Sequence, residues 1–220
     1  MKMPIVSMAM MLSASACVST KLDAAIALDA RPVVARSAIA QVPSKAAEVV
    51  AFWQEAGPQM WFAKDPNFDR EFRERFAREY DRASRGELDE WARTPDGALA
   101  LILLLDQYPR NSFRGTPRMY ATDEAALALA DAAIAAGFDR LVEPDLQLFV
   151  YLPFAHSEHL SHQERSVELA RRLGEPSLSH AQHHHDIIKR FGRFPHRNPI
   201  LGRAMKSEEQ AYLDNGGFKG

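Results

Sequence analysis

All eight histidines of this 220-residue chain lie between positions 156 and 196. Residues 153–158 and 191–198 bracket that segment, and another polar run, residues 106–114, lies upstream. In chain order, residues 106–114 are the first polar run, residues 153–158 the second and residues 191–198 the third. Each run combines imidazole, guanidinium or carboxylate groups with a proline. This concentration of charged and titratable side chains beside proline corners indicates a built site, open to proton transfer, anion binding or metal binding.

Proton transfer is the first chemistry that these residues predict. His156 is predicted at the start of a helix, where the helix dipole lowers its pKa and keeps the imidazole neutral. A neutral imidazole next to Glu158 can act as a general base. Asp106 ends a nearly apolar stretch, where a carboxylate is costly unless it is paired, and Arg110 one turn later is an available partner. His156, Glu158 and Asp106 are the candidate catalytic residues, with a purely structural Asp106–Arg110 pair as the alternative.

Anion binding is the second predicted chemistry, because arginines gather in the first and third polar runs. Guanidinium forks recognise carboxylate and phosphate groups, and the nearby aromatic rings can stack on a base. The pattern favours a phosphorylated small molecule, a nucleotide or an RNA end, and the alternative is a solvated basic face at helix C-termini. The candidate ligand-binding residues are Arg110, Asn111, Arg114, His185, Arg193, His196, Arg197 and Asn198.

Metal binding is a weaker alternative. His180 and His184 lie four residues apart on one helix face, as two ligands of one ion can. The zincin pattern with its intervening glutamate is absent, and the chain's one cysteine excludes a four-cysteine zinc site. If the two histidines bound a metal ion, the remaining ligands would come from the preceding helix, either His156 with Glu158 or His159 with His162. Because the patterns above are absent, we assign no metal ligand.

Composition limits the class of protein. Apolar residues make up 46% of the chain and charged residues 25%, which is an ordinary globular balance. The net charge of -2 gives no electrostatic reason to expect DNA binding. No nucleophile elbow, Walker A sequence or dinucleotide-binding glycine pattern is present. The length suits one domain with a full core.

The first residues raise a question of targeting. Lys2 precedes a mostly apolar stretch, and residues 14–17 are similar to a bacterial lipoprotein cleavage box that ends at Cys17. The alternative is a start codon placed too far upstream, or a tail without structure. We assign residues 1–43 to a leader or tether and residues 44–220 to a single all-helical domain. Contact with a membrane is expected only if Cys17 is lipidated.

The body of the chain reads as a succession of helices. Asp65-Pro66 and Thr94-Pro95 are strong start signals, because a polar N-cap is followed by proline at the first helical position. Residues 99–105 are apolar on every side and should be central. Pro153 is expected to end one helix at about Tyr151, and Ser157 to begin the next. About eight helices and no alternating strand pattern predict an all-α, antiparallel helical stack.

Several long motifs closely resemble the bacterial domain-of-unknown-function 924 family. The resemblance covers roughly residues 46–215 and implies an all-helical, tetratricopeptide-like fold, without an activity to carry over. The resemblance implies a cytoplasmic location. The leader departs from the family pattern, so export is an open alternative. The motifs are residues 52–53, 61–62, 103–111, 113–114, 151–158, 191–198 and 201–203.

Together these observations predict that the three polar runs converge on one pocket. The first functional hypothesis is a hydrolase-like enzyme that acts on an anionic small molecule or a nucleotide. The second is a helical-repeat module that receives a peptide or a partner helix in a groove. A closed cavity that brings His156 and Arg110 together would favour the enzyme. The residues specify no cofactor and no oligomeric state.

Overall fold

The structure is a computed structural model that describes residues 41–220, and in this part of the chain all regular secondary structure is helical. The predicted leader, with Cys17, lies outside the described residues except for positions 41–43. The α-helices are α1 (Ser44–Ala56), α2 (Pro58–Trp61), α3 (Pro66–Ser84), α4 (Pro95–Ile102), α5 (Tyr108–Ser112), α6 (Asp123–Ala135), α7 (Gln147–His156), α8 (Leu160–Leu173), α9 (Ser177–Phe191) and α10 (Ser207–Asp214).

Two of the predicted helix starts are confirmed in atomic detail. The Asp65 carboxylate accepts hydrogen bonds from the backbone N–H groups of Asn67 and Phe68, which open α3. The Thr94 hydroxyl accepts from the N–H of Gly97 in the first turn of α4. Both contacts satisfy N–H groups that have no partner inside the helix, so local sequence is sufficient to place these starts.

The predicted break at Pro153 is wrong, because α7 continues through this proline to His156. The next helix, α8, begins at Leu160 rather than at Ser157. Gln163, which is fully buried, donates from its side-chain nitrogen to the carbonyls of Ala155 and Ser157 at 2.8 and 2.6 Å. An amide from α8 thus satisfies carbonyls at the end of α7 and supports the extra turn.

The core is aromatic at one end of the domain and aliphatic at its centre. The Phe52 and Trp53 rings of α1 pack on Phe72 of α3 at centroid distances of 5.3 Å, and Trp53 also meets Phe149 of α7 at 5.3 Å. Every residue from 97 to 109 is buried, which confirms the prediction of a central helix. Consecutive helices pack together, α6 on α7, α7 on α8 and α8 on α9.

A π-helical turn, Leu103–Gln107, joins α4 to α5. The N–H of Tyr108 reaches the carbonyl of Leu103, five residues back. Pro109 has no N–H, so it cannot bond the carbonyl of Leu105 four residues before it. That carbonyl accepts instead from the Thr122 hydroxyl at 2.5 Å. A side chain just before α6 therefore completes the backbone hydrogen bonding that the proline interrupts.

Replacing Thr122 with valine should lower the free energy of unfolding by about 1–3 kcal/mol, because the buried Leu105 carbonyl would lose its partner. Urea denaturation monitored by circular dichroism measures this change. Thr122→Ser keeps the hydroxyl and is the matched control, which should retain most of the stability. Equal unfolding midpoints for the two variants would contradict this account of the turn.

A second, smaller apolar cluster lies near the C-terminal end of the chain. It contains Ile187, Ile188 and Phe191 of α9 with Phe194, and Phe218 packs against it.

None of the helices in residues 41–220 combines the length and the apolar character that a membrane span requires.

Candidate functional site

A cavity of about 520 Å³ lies between α7, α8 and α9, and α5 and the last residues of the chain complete its wall. Most of the wall is apolar. The polar side chains that reach it come from all three of the runs identified in the sequence. The predicted site residues among its lining are Arg110, Asn111, Arg114, His156, His196 and Arg197.

The Asp106 carboxylate lies behind the cavity and is fully buried. Its Oδ1 lies 2.8 Å from Nδ1 of His156, and its Oδ2 accepts from the Gln107 amide at 2.6 Å. A carboxylate can only accept, and it lies closer to Nδ1 than the Arg110 Nε–H donor does, at 2.8 against 3.3 Å, so the imidazole proton belongs on Nδ1. Within residues 41–220, Nε2 of His156 has no hydrogen-bond partner, and it is the nitrogen available to a bound molecule.

Arg110 connects this pair to a second carboxylate. Its Nη2 lies 3.3 Å from Asp106 and 2.9 Å from Asp123 at the start of α6. Its Nε lies 3.3 Å from Nδ1 of His156, and its Nη1 donates to the carbonyl of Met119 at 3.0 Å. The predicted Asp106–Arg110 pairing is present, and it orients a guanidinium beside the imidazole.

Arg197 contacts the same cluster through His156 and Asp123. Its Nη2 donates to the backbone carbonyl of His156 at 2.9 Å, and its Nη1 lies 3.5 Å from Asp123. The guanidinium lies over the rings of Tyr120 and Phe194, at 4.5 and 4.7 Å from their centroids. The first and third polar runs therefore meet at Asp123, and both contact the second run at His156.

Burial and charge set the protonation of this cluster. Burial alone would raise the pKa of Asp106, but the Arg110 charge and the contacts with His156 and Gln107 hold that pKa below its ordinary value. Burial and the Arg110 charge lower the pKa of His156, and Asp106 offsets part of this effect. The imidazole is therefore neutral at pH 7 and able to accept a proton. The helix start predicted as the cause is wrong, since His156 ends α7.

Two further imidazoles line the cavity beside Arg197. Burial is the main cause that lowers the pKa of His184 to about 3. Burial and the Arg197 charge lower the pKa of His196 to about 4. Both rings are neutral at pH 7. Their Nδ1 atoms are buried without a hydrogen-bond partner in the described residues.

Asn111 and Arg114 line the cavity but are engaged elsewhere. The Asn111 amide donates to Asp69 of α3 at 2.8 Å. Arg114 binds the same carboxylate through Nε and Nη2, at 2.5 and 2.9 Å. This arrangement fixes α5 to α3 and gives both residues a structural role, while their part in ligand binding stays a prediction.

Glu158, a predicted catalytic residue, does not reach the cavity. Its carboxylate accepts from the N–H of Phe194 at 2.7 Å and from Arg203 at 2.6 and 3.0 Å. These three charge-assisted bonds fix the third polar run against the end of α7. We therefore propose no proton transfer by Glu158.

Three predicted ligand-binding residues also lie outside the cavity lining. Arg193 and Asn198 both bond the buried Glu209 of α10, at 2.6 and 3.1 Å. These contacts satisfy a fully buried carboxylate, which explains the two residues structurally. His185 lies beside Asp186 at 3.1 Å on the outer side of α9.

His180 and His184, the pair considered for metal binding, both line the cavity. Within the described range, no group of three or more His, Cys, Asp or Glu side chains is arranged to hold a metal ion.

Sequence reasoning missed Asp123 and Tyr120. Asp123 occupies the first turn of α6, where a carboxylate is ordinary because it favours the helix dipole. Tyr120 lies in a short 3-10 turn between two helices. Nothing in the sequence around these two positions indicates a site. Their role is visible only in the folded chain, where Arg110 and Arg197 both contact them.

The fold and the cavity define an all-helical protein with a charged cluster at the wall of an apolar chamber. The model of the DUF924 family, described as a bacterial protein of unknown function, matches residues 49–217. The chain therefore belongs to this family. The resemblance seen in its motifs and the all-helical fold are both confirmed, while the tetratricopeptide-like arrangement stays a prediction.

A solved structure supports the same assignment. A protein of unknown function from Agrobacterium tumefaciens, ATU0120, matches with a TM-score of 0.78 and 50% sequence identity. The match covers 80% of this chain and 100% of that one. Comparison with curated proteins gave no match.

Proposed function

We propose that this protein is a hydrolase that binds a small molecule in the cavity and uses His156 as its general base. The observation that carries the proposal is the Asp106–His156 contact of 2.8 Å in a residue that lines the cavity, with the second imidazole nitrogen left without a partner in residues 41–220. A buried carboxylate on one ring nitrogen fixes the tautomer and orients the other nitrogen towards a substrate.

The reaction follows from these positions. Nε2 of His156 accepts a proton from a water molecule as the water oxygen attacks the electrophilic carbon or phosphorus of the substrate. Asp106 stabilises the imidazolium that forms. The imidazolium then returns the proton to the leaving oxygen as the bond to it breaks, which restores the neutral ring.

Negative charge that develops on the substrate needs stabilisation on the same side of the cavity. Arg110 and Arg197 both line the cavity beside His156 and are held in place by Asp123. Because these guanidiniums are fixed before the substrate arrives, they can stabilise an oxyanion without reorganisation. An interaction module would not need an imidazole and two guanidiniums together at the wall of a cavity, and no specific observation favours that alternative.

The test is hydrolysis of a defined panel: p-nitrophenyl carboxylic esters, p-nitrophenyl phosphate and nucleoside monophosphates. For any compound that the wild type hydrolyses, His156→Gln should lower kcat by about 10²–10⁴-fold. His159→Gln, at an exposed position outside the cavity, is the matched control and should retain the wild-type rate. Hydrolysis of nothing in the panel, or an unchanged rate in His156→Gln, would overturn the proposal.

A further inference from the structure

We infer that the ligand of this cavity is a carboxylic acid derivative with a hydrocarbon body, which makes the substrate an apolar acyl ester. The identification of an ester rests on the proposed function. The ligand class does not, because it follows from how the cavity wall changes from one end to the other.

The α7 side of the cavity shows this change most directly. Leu148, Leu152 and His156 line it at successive four-residue intervals. Residues at this spacing lie on one helix face. At 1.5 Å per residue, the distance from Leu148 to His156 is about 12 Å along the helix. One helix face thus offers hydrocarbon over most of its length and an imidazole at its C-terminal end.

The α9 side is mixed. Ser177, His180, Ala181 and His184 line the cavity, and of the two imidazoles His180 is exposed and His184 is half-buried. On α8, Ala170 and Leu173 line the cavity, and Leu173 lies only four residues before the start of α9. The apolar end therefore lies between the N-terminal half of α7 and the turn from α8 to α9.

The polar end contains hydrogen-bonding atoms that the protein itself does not satisfy. Within residues 41–220, Nε of Arg197 and the Nδ1 atoms of His184 and His196 are buried without a partner. Arg197 is only 7% exposed. Leaving such a group unpaired costs about 1–3 kcal/mol, more when it is charged. Polar atoms of a ligand placed at this end would remove that cost, and a carboxylate or carbonyl oxygen suits the Arg197 N–H.

The charge around the cavity distinguishes a carboxylate from a nucleotide. The lining contains four cations, Lys64, Arg110, Arg114 and Arg197. Three carboxylates bind these arginines, Asp69, Asp106 and Asp123. The fourth cation, Lys64, is bound to Gly220 at 2.9 Å. The protein's own groups therefore largely neutralise the cations of the lining, which suits a ligand with little negative charge and opposes the two to four charges of a nucleotide. The nucleotide considered from the sequence is therefore the less favoured ligand.

The reaction on such a substrate balances without any added reactant. The water oxygen bonds to the acyl carbon, the acyl carbon–oxygen bond of the ester breaks, and the alkoxide leaves with the proton that His156 received from water. The products are an alcohol and a carboxylic acid, which ionises to a carboxylate at neutral pH. The carboxylate product is itself the simplest ligand with which to probe the site.

Titration calorimetry with butanoate, hexanoate, octanoate and decanoate tests the ligand class directly. Each buried methylene contributes about 0.8 kcal/mol, so affinity should rise up to about fourfold per methylene until the apolar end is filled. Inorganic phosphate and adenosine monophosphate are the comparison ligands and should bind more weakly than octanoate. Affinity that is flat across the series, or tighter binding of adenosine monophosphate, would overturn the inference.

Two variants separate the ends of the cavity. Ala170→Met fills the apolar end and should weaken decanoate binding by about tenfold or more while butanoate binding is unchanged. Its control is Ala132→Met, at an exposed position of α6. Arg197→Lys keeps the charge but loses Nε–H, so it should weaken every carboxylate by a similar factor. If Arg197→Lys does not fold, the wild-type series and the Ala170→Met result decide alone.

The inference and the proposed function fail in different ways. Chain-length-dependent binding of carboxylates, together with p-nitrophenyl octanoate hydrolysis that His156→Gln leaves unchanged, would support the ligand class and refute the hydrolase. Hydrolysis of p-nitrophenyl phosphate that depends on His156, with no carboxylate bound, would support the hydrolase and refute the ligand class.

Discussion

Replacing Asp106 with alanine should lower the free energy of unfolding by about 3–5 kcal/mol, because the change leaves charged or polar partners buried without their carboxylate. The side chain is fully buried and contacts Arg110, His156 and Gln107. Arg110 would keep Asp123 as a partner. The decrease in the free energy of unfolding should therefore be smaller than if the guanidinium lost every carboxylate partner. Denaturant unfolding, followed by tryptophan fluorescence, measures the change.

Two further variants show whether the charge of Asp106 is the cause. Asp106→Asn keeps the shape and removes the charge, so it should recover only part of the loss. Asp131→Ala, at an exposed position of α6, is the matched control and should change stability by less than about 0.5 kcal/mol. A stability of Asp106→Ala equal to that of Asp131→Ala would mean that the buried cluster contributes nothing to folding.

Acidification should destabilise the protein by on the order of 5 kcal/mol between pH 7 and pH 4 through two cavity histidines. Their folded-state pKa values are about 3 for His184 and about 4 for His196. The unfolded chain takes up these protons near pH 6.5, an ordinary imidazole value. Between pH 6.5 and 4 the unfolded state therefore binds more protons than the folded state, and stability falls as pH falls. Below about pH 3 both states are protonated, and these groups cause no further loss.

The double variant His184→Asn with His196→Asn tests this explanation. Both replacements are neutral at every pH, so the fall in unfolding free energy from pH 7 to pH 4 should be reduced by at least half. His159→Asn removes a histidine outside the cavity and should keep the wild-type dependence on pH. An unchanged slope in the double variant would show that other groups cause the acid sensitivity.

Much of the helical framework could be predicted because its boundaries are encoded locally. Asp65-Pro66 and Thr94-Pro95 provide a cap and a pre-formed first turn within two residues, and both starts are confirmed. Pro153 misled the prediction because local rules treat proline as a helix end. Its helix continues because Gln163 of the next helix and the more distant Arg197 bind the carbonyls that follow it.

The candidate site was predictable where its partners are close in sequence. Asp106 and Arg110 are four residues apart, and a costly carboxylate at the end of an apolar run indicates a nearby cation. Glu158, Arg193 and Asn198 have equally suggestive chemistry, but their partners are Arg203 and Glu209, which only the folded chain brings to them. A polar motif alone does not distinguish a residue that faces a ligand from one that fixes a corner.

The wide turn at Leu103–Gln107 makes the length of this segment as important as its composition. Deleting one of its three leucines would keep the chain apolar and could restore a regular α-helix. It would also shift Asp106 by one position, about 100° around the helix axis, and turn it away from His156. Point substitutions that keep these leucines apolar should be tolerated here. Deletion of one residue, in contrast, should give a chain that still folds but does not function.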